Sequence, residues 1–217
     1  MLTASNMWRA MSFLKKGGST EARGQYLMEV VAERMTDIIV PHFVTEDMQW
    51  GIYHQREAIA EWEIATGEIA GPEGFFQFPG LDFGGTPDGL IGNDGVLEVK
   101  CPRTSTHLSY CSHREIPMNY KWQMCAQLLC SARSHAVFVS YDPRIWDQNA
   151  RLLIIHFRPD SKMMDEALSG AKRFLQEVDE LFQRVTEDKH QWGIYQKETK
   201  ASGKIVGPEE LFQYPAV

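Results

Sequence analysis

Two periods of apolar and polar residues run through the chain and predict an α/β protein. From residue 161 onward, Met164, Leu168, Ala171, Leu175, Val178, Phe182 and Val185 recur at steps of three and four. That spacing predicts a long helix with one buried stripe, capped by Asp160 or Ser161 and packed on a sheet. Ser19 or Thr20 opens an earlier helix that runs to about Ile39, with Leu27, Val31, Met35 and Ile38 inward and Pro41 ending it. A helix follows Thr45 and stops near Gly67, with the stripe Met48, Ile52, Gln55, Ile59 and Trp62. Gln55 is the polar member of that stripe, either a satisfied core amide or a group beside an active centre, because an unpaired buried amide is costly. Glu57, Glu61 and Glu63 fall off the stripe and read as solvated. Pro117 precedes another helix, YKWQMCAQLLCSA, in which Tyr120, Gln123 and Gln127 share one face. Such a face suits either solvent or a phosphate. Strands are predicted at FFQFP after Gly74, at HAVFVSY from His135 to Tyr141, and at Arg151 to Phe157, the last apolar enough for a central position. Arg103 to Ser105 read as the start of a polar loop, and YDPR at 141–144 as a turn.

Residues 84–101, GGTPDGLIGNDGVLEVKC, carry the chemistry. They predict a hairpin, and Glu98 and Lys100, two residues apart on its second strand, leave the same face. Directly opposed residues of an antiparallel pair share a face, so Asp88 joins them only if the loop holds an odd number of residues. Asn93, Asp94 and Gly95 suit a three-residue loop with Gly95 at positive φ. That register opposes Gly92 to Val96, Leu90 to Glu98 and Asp88 to Lys100. Two carboxylates with the Val99 carbonyl make an oxygen site for Mg²⁺ or Mn²⁺, and a neighbouring lysine can orient or deprotonate a water. The bland alternative is a surface hairpin with one cross-strand ion pair, worth roughly 0.2–1 kcal/mol.

Composition narrows the picture only slightly. The 217 residues fit one domain with a modest extension, and a formal net charge of −7 argues against a broad basic surface for nucleic acid. An acidic enzyme can still hold DNA through a few local cations and a divalent metal. No apolar run spans a bilayer and no signal peptide is evident, so the expected location is the cytoplasm. Cys101, Cys111, Cys125 and Cys130 contain no CxxC pair and read as buried thiols rather than an iron–sulfur ligand set.

Thr-Pro-Asp-Gly at 86–89, Leu-Glu-Val-Lys-Cys-Pro at 97–102, Tyr-x-x-Gln at 120–123 and Tyr-Asp-Pro-Arg at 141–144 occur in an order that resembles the lambda-type exonuclease, or YqaJ-like viral recombinase, family of PD-(D/E)xK nucleases. The initial Thr-Ala-Ser and the pair Trp50-Gly51 also fit. The resemblance implies a restriction-endonuclease-like fold, a central mixed sheet flanked by helices. It implies that Asp88, Glu98 and the Val99 carbonyl bind Mg²⁺, that Lys100 assists the attacking water, and that Ser5, Thr86 and Gln123 hold the 5′-phosphate of a double-stranded DNA end. It also implies processive 5′ to 3′ digestion of one strand by a ring-shaped homotrimer, working with a single-strand annealing protein in phage recombination inside a bacterial host cell. Two departures stand out. The arginine that family members usually carry before Thr-Ala-Ser falls outside this sequence, leaving Arg9, Arg103 or Lys121 as candidates to replace it. Gln55 stands where the family usually has a glutamate, which bears on whether a second metal is held.

The expected organisation is a nuclease domain over 1–185 and an extension over 186–217. QWGIY at 49–53 recurs at 191–195, and TGEIAGPEGFFQFP at 66–79 recurs as SGKIVGPEELFQYP at 202–215, so the extension is expected to add a segment to a sheet edge. The rival activities are a structure-selective or nicking endonuclease of the same superfamily and a non-catalytic DNA-binding relative.

Overall fold

A computed structural model describes residues 1–39 and 44–187. Met1–Gln183 make one compact unit and Arg184–Val217 a second. The chain opens with β1 (Leu2–Thr3), a 3₁₀ turn at Ala4–Asn6 and the short helix α1 (Met7–Ala10), followed by α2 (Glu21–Thr36) and α3 (Glu46–Thr66). Next come β2 (Ala70–Gly71), β3 (Phe76–Gln77), β4 (Phe83–Gly85), β5 (Gly89–Ile91) and β6 (Gly95–Lys100). Helices α4 (Thr104–His113) and α5 (Met118–Ser131), strands β7 (His135–Tyr141) and β8 (Leu152–Phe157), and α6 (Ser161–Glu187) complete the order.

The main sheet runs β2-β5-β6-β7-β8, parallel only between β6 and β7, and is therefore mixed as the sequence predicts. A smaller sheet, β1-β4-β3, pairs β1 parallel to β4. Strand β6 is buried on both faces, and alternate side chains serve different helices. Leu97 and Val99 pack with Val137, Val139 and Tyr141 against Ala58 and Trp62 of α3. Val96, Ala136 and Phe138 meet Met124 and Leu128 of α5. The sheet thus lies between α3 and α5, and the polar residues of β6 leave on the α5 side.

Several local expectations shift. Helix α2 is capped by Thr20, whose hydroxyl accepts from the Arg23 N–H, but it ends at Thr36 because Asp37 takes the left-handed conformation. Its buried face is Arg23, Tyr26, Val30 and Val31, while Met35 and Ile38 are exposed. Pro41 and the repeated tail motif lie outside the described residues. Helix α3 keeps its predicted limits, from the Thr45 cap to left-handed Gly67. Its buried members are Ala58 and Trp62, whereas Met48 and Ile52 are exposed. The segment read as a polar loop is helix α4. Its sequence, TSTHLSYCSH, has no apolar stripe, and one buried side chain anchors it: His107 bonds Ser140 Oγ at 2.8 Å and the Ala150 carbonyl at 2.9 Å.

Strand β8 lies at the edge of the sheet and is half-buried, not central. Helix α6 is capped by Asp160, whose Oδ1 accepts from the Met163 N–H at 2.7 Å. Its buried face, Ala167, Gly170, Ala171, Phe174, Leu175 and Val178, packs with Met7, Ala10, Tyr26, Val30 and Cys125. Helices, not the sheet, are its main partners, since the small residues admit close approach: a Cβ on Gly170 would lie 2.1 Å from the Met11 sulfur. Cys101, Cys125 and Cys130 are buried, Cys111 is half-buried, and all four are free thiols.

Candidate active site

The hairpin register is offset from the expected one by one residue on each strand. Ile91 pairs with Gly95, Leu90 with Val96 and Gly89 with Leu97, so the three-residue loop is Gly92, Asn93 and Asp94, with positive φ at Gly92 rather than Gly95. Gly95 belongs to β6, paired with His135, and a Cβ there would lie 2.5 Å from the His135 ring nitrogen. Arg133 closes the loop by donating to the Ile91, Gly92 and Gly95 carbonyls. The paired register ends at Gly89 and Leu97, and Asp88 lies one residue beyond it, its N–H donating to the Leu97 carbonyl at 3.0 Å. Asp88 is therefore not opposed to Lys100 as expected, yet Asp88, Glu98 and Lys100 come together closely enough for both neighbours' charges to act on the Asp88 carboxyl.

Each member is held from a different element. Glu98 is fully buried. Its Oε1 accepts from Gln123 Nε2 at 2.7 Å and its Oε2 from Gln127 Nε2 at 2.6 Å, while the Lys100 ammonium forms a short ion pair with Oε1. The Lys100 Nζ also lies 5.2 Å from the Tyr120 ring centre, a cation–π contact. The shared face of Tyr120, Gln123 and Gln127 therefore turns toward the sheet, where it holds the acid–lysine pair. Asp88 Oδ2 accepts from the Val99 N–H at 2.7 Å and its Oδ1 from Gln55 Nε2 at 2.8 Å. Gln55 thus presents an N–H toward the acids, the orientation a carboxylate neighbour demands.

Burial first, and the Glu98 charge second, push the Asp88 carboxyl up to about 7, against the pull of Lys100 and the Val99 N–H. Burial acts to lower the Lys100 ammonium, but Glu98 and Asp88 outweigh it and hold it above the usual lysine range. Two acids facing one ammonium leave an excess of one negative charge when both are ionised. A hard divalent cation fits that oxygen set and its charge deficit. Among the described residues, no group of three or more His, Cys, Asp or Glu side chains is placed to hold a metal, so a site here rests on two carboxylates and the backbone. Cys101 lines the same cleft, but burial pushes its thiol up to about 12, and it offers no thiolate near neutrality.

Asp88 and Lys100, with Glu98 buried behind them, open onto a cleft of about 470 Å³ whose walls include Asp47, Met48, Ile52 and Gln55 from the α3 side and Pro102, Arg103 and Thr106 from the α4 side. The other predicted site residues lie elsewhere. Thr86 is exposed two residues before Asp88. Ser5 follows β1, and because Thr3 pairs with Gly84 in parallel register the chain carries Ser5 along the same direction as Thr86. Ser5 lines a separate depression with Tyr26, Glu29 and Arg34. Of the three cations considered for the 5′-phosphate, Arg9 is bound bidentately to Glu29, Lys121 lines a third depression, and Arg103 stands on the acid cleft.

The sequence offered the face of Tyr120, Gln123 and Gln127 to solvent or to a phosphate, whereas both glutamines hold Glu98. It read Tyr-Asp-Pro-Arg as a turn, without the ion pair that fixes it. Asp142 is fully buried and bound by Arg144, which donates to the Pro102 carbonyl at 2.8 Å and stacks 4.2 Å from the Trp50 ring centre. Arg144 thereby ties the end of β7 to α3 and to the strand end beyond Lys100.

Comparison with known proteins identifies the family and the fold. The profile of the YqaJ-like viral recombinase domain matches residues 1–134. No curated protein sequence matches the chain. The structure is similar to an alkaline exonuclease from Laribacter hongkongensis, LHK-Exo, solved alone and with dAMP. The dAMP complex is 28% identical, with 88% of this chain and 93% of that one covered at a TM-score of 0.79. The structure without it is also 28% identical over the same shares, at 0.78. A phage-related exonuclease from Haemophilus somnus shares the fold, at 12% identity and a TM-score of 0.71, with 85% of this chain and 96% of that one covered. The arrangement is therefore restriction-endonuclease-like, and the chain belongs to the YqaJ-like viral recombinase family.

Proposed function

We propose that this chain is a Mg²⁺-dependent exonuclease that removes nucleotides from one strand of duplex DNA, 5′ to 3′, in recombination by strand annealing. The observation that carries the reading is the gathering of Asp88, Glu98 and Lys100, with Asp88 and Lys100 lining an open cleft, in a YqaJ-family chain. LHK-Exo was solved with dAMP, and a mononucleotide is what stepwise digestion releases.

Asp88, Glu98 and the Val99 carbonyl would hold Mg²⁺ or Mn²⁺, which when bound supplies Lewis-acid polarisation of the phosphate and a more acidic water. Gln123 and Gln127 fix the orientation of the Glu98 carboxylate from which it would ligate the ion. Gln55 and the Val99 N–H fix Asp88 in the same way. Lys100, an ammonium in this setting, orients the water and offsets charge gathering on the phosphate oxygens. Ser5 and Thr86 supply hydroxyls to the terminal 5′-phosphate, and Gln123 can add its second amide N–H while keeping Glu98. The family resemblance further supports a homotrimer, a single-strand annealing partner, processive action and a bacterial host cytoplasm. Among the described residues, no helix is long and apolar enough to cross a membrane.

End-labelled duplexes with 5′-phosphate or 5′-hydroxyl, incubated with Mg²⁺ or EDTA beside a covalently closed circle, test the reading. Release of mononucleotides from 5′ ends in Mg²⁺ alone is expected. Cutting of the circle would establish the endonuclease reading instead, and an inert protein the non-catalytic one. Mass measured in solution tests the trimer.

A further inference from the structure

We propose that Arg103 is a DNA-phosphate receptor at the cleft mouth and that Asp47 holds it there until a phosphate displaces the carboxylate. The inference rests on the nuclease reading and adds a binding residue with a built-in competitor.

The charged side chains lining the cleft are Asp47, Asp88, Lys100 and Arg103. Lys100 is committed to Glu98, so Arg103 is the lining cation whose charge faces incoming substrate. Its side chain is 72% exposed, and Asp47, its partner, is 54% exposed. Arg103 Nε donates to Asp47 Oδ1 at 2.8 Å, and its terminal nitrogen lies 2.8 Å from Oδ2. This two-pronged pairing is the geometry a guanidinium also makes with two phosphate oxygens. Exposed ion pairs contribute little to stability, so exchanging the carboxylate for a phosphate costs the fold almost nothing.

The pair also joins the two walls, since Asp47 lies in the first turn of α3 and Arg103 immediately precedes α4. A released Asp47 is not stranded, because the N-terminus of α3 favours a carboxylate. Arg144, which stacks on Trp50 beside the cleft, has fixed work, holding Asp142 and the Pro102 carbonyl. With a net charge of −7, the chain gains most of its attraction for DNA from such local cations.

The test measures DNA affinity of the full chain by fluorescence anisotropy across a salt series, with Ca²⁺ replacing Mg²⁺, together with Mg²⁺-dependent digestion rates. Arg103→Ala is expected to weaken binding about tenfold, to lower the slope of log K against log salt by about 1, and to raise KM with little change in kcat. Asp47→Asn is expected to tighten binding several-fold, and to have no effect when combined with Arg103→Ala. Duplexes with 5′-phosphate and 5′-hydroxyl distinguish a backbone phosphate, lost equally on both, from the terminal one, lost on the first alone. Unchanged affinity and salt slope in Arg103→Ala would overturn the proposal, as would Asp47→Asn tightening binding equally without Arg103. A wild-type protein that binds DNA but never digests it defeats the nuclease reading instead, while the anisotropy still reports on the pair.

Discussion

Replacing Asp88 by asparagine should abolish digestion and, in metal-free protein, increase stability. Burial and the neighbouring Glu98 raise the Asp88 carboxyl from 3.8 to about 7. Ionising it in the folded state therefore costs roughly three pH units at about 1.4 kcal/mol apiece, or about 4 kcal/mol. The sign follows from linkage. Below pH 3.8 the group is protonated whether folded or not, and the cost is absent. It grows as pH rises through the interval to about 7 and is complete above it. Asparagine keeps an oxygen for the Val99 N–H, and a flip of the Gln55 amide restores the second hydrogen bond. At pH 8 in EDTA, Asp88→Asn should gain about 4 kcal/mol, a rise in Tm of about 10 °C for a chain of this size. At pH 4 the two proteins should melt alike. Urea and thermal unfolding followed by circular dichroism measure both, and Mg²⁺ should stabilise the parent but not the variant. A variant less stable than the parent at pH 8, or a gain that persists at pH 4, would refute the account of Asp88 as a strained acid awaiting a cation.

Further outcomes follow from the same contacts. Lys100→Ala should reduce turnover about a hundred- to a thousandfold, on the order seen for other groups that stabilise transition-state charge, yet leave DNA affinity in Ca²⁺ nearly unchanged; single-turnover digestion and anisotropy check it. Gln55→Glu places a third acid beside two, so it should lower metal-free stability at pH 8 and steepen the Mg²⁺ dependence of digestion; an unchanged Mg²⁺ titration would exclude the position as a metal neighbour. Gln127→Leu removes one donor from buried Glu98 and should cost about 1.5–3 kcal/mol in urea unfolding. Glu177→Ala strips its partner from Arg23, which is 1% exposed, and should cost about 3 kcal/mol by the same measurement.

Much of this site was legible in the chain because it depends on covalent geometry. Alternation along a strand places Glu98 and Lys100 on one face whatever surrounds them, and the hairpin sets Asp88 beside that strand whichever three residues form its loop. The caps at Thr20, Thr45 and Gly67 declare themselves by residue type. Where stripes were read too regularly, at Met35, Ile38, Met48 and Ile52, apolar residues face solvent or the cleft instead of a core. Helix α4 carried no periodic signal because a buried histidine and one tyrosine, Tyr110 against Phe138, fasten it instead of a continuous apolar face.

The order of motifs, the parity of the hairpin and the limits of α3 were determined by the sequence alone, since each is set within a few bonds of the residues concerned. The tertiary structure decided the register of the hairpin, through Arg133 on the loop carbonyls and His135 filling the space beside Gly95. It likewise decided that Gln123 and Gln127 serve Glu98 and that Arg103 rests on Asp47. Those pairings join residues 25 to 56 positions apart, and such distances along the chain are bridged by packing, which no local period encodes.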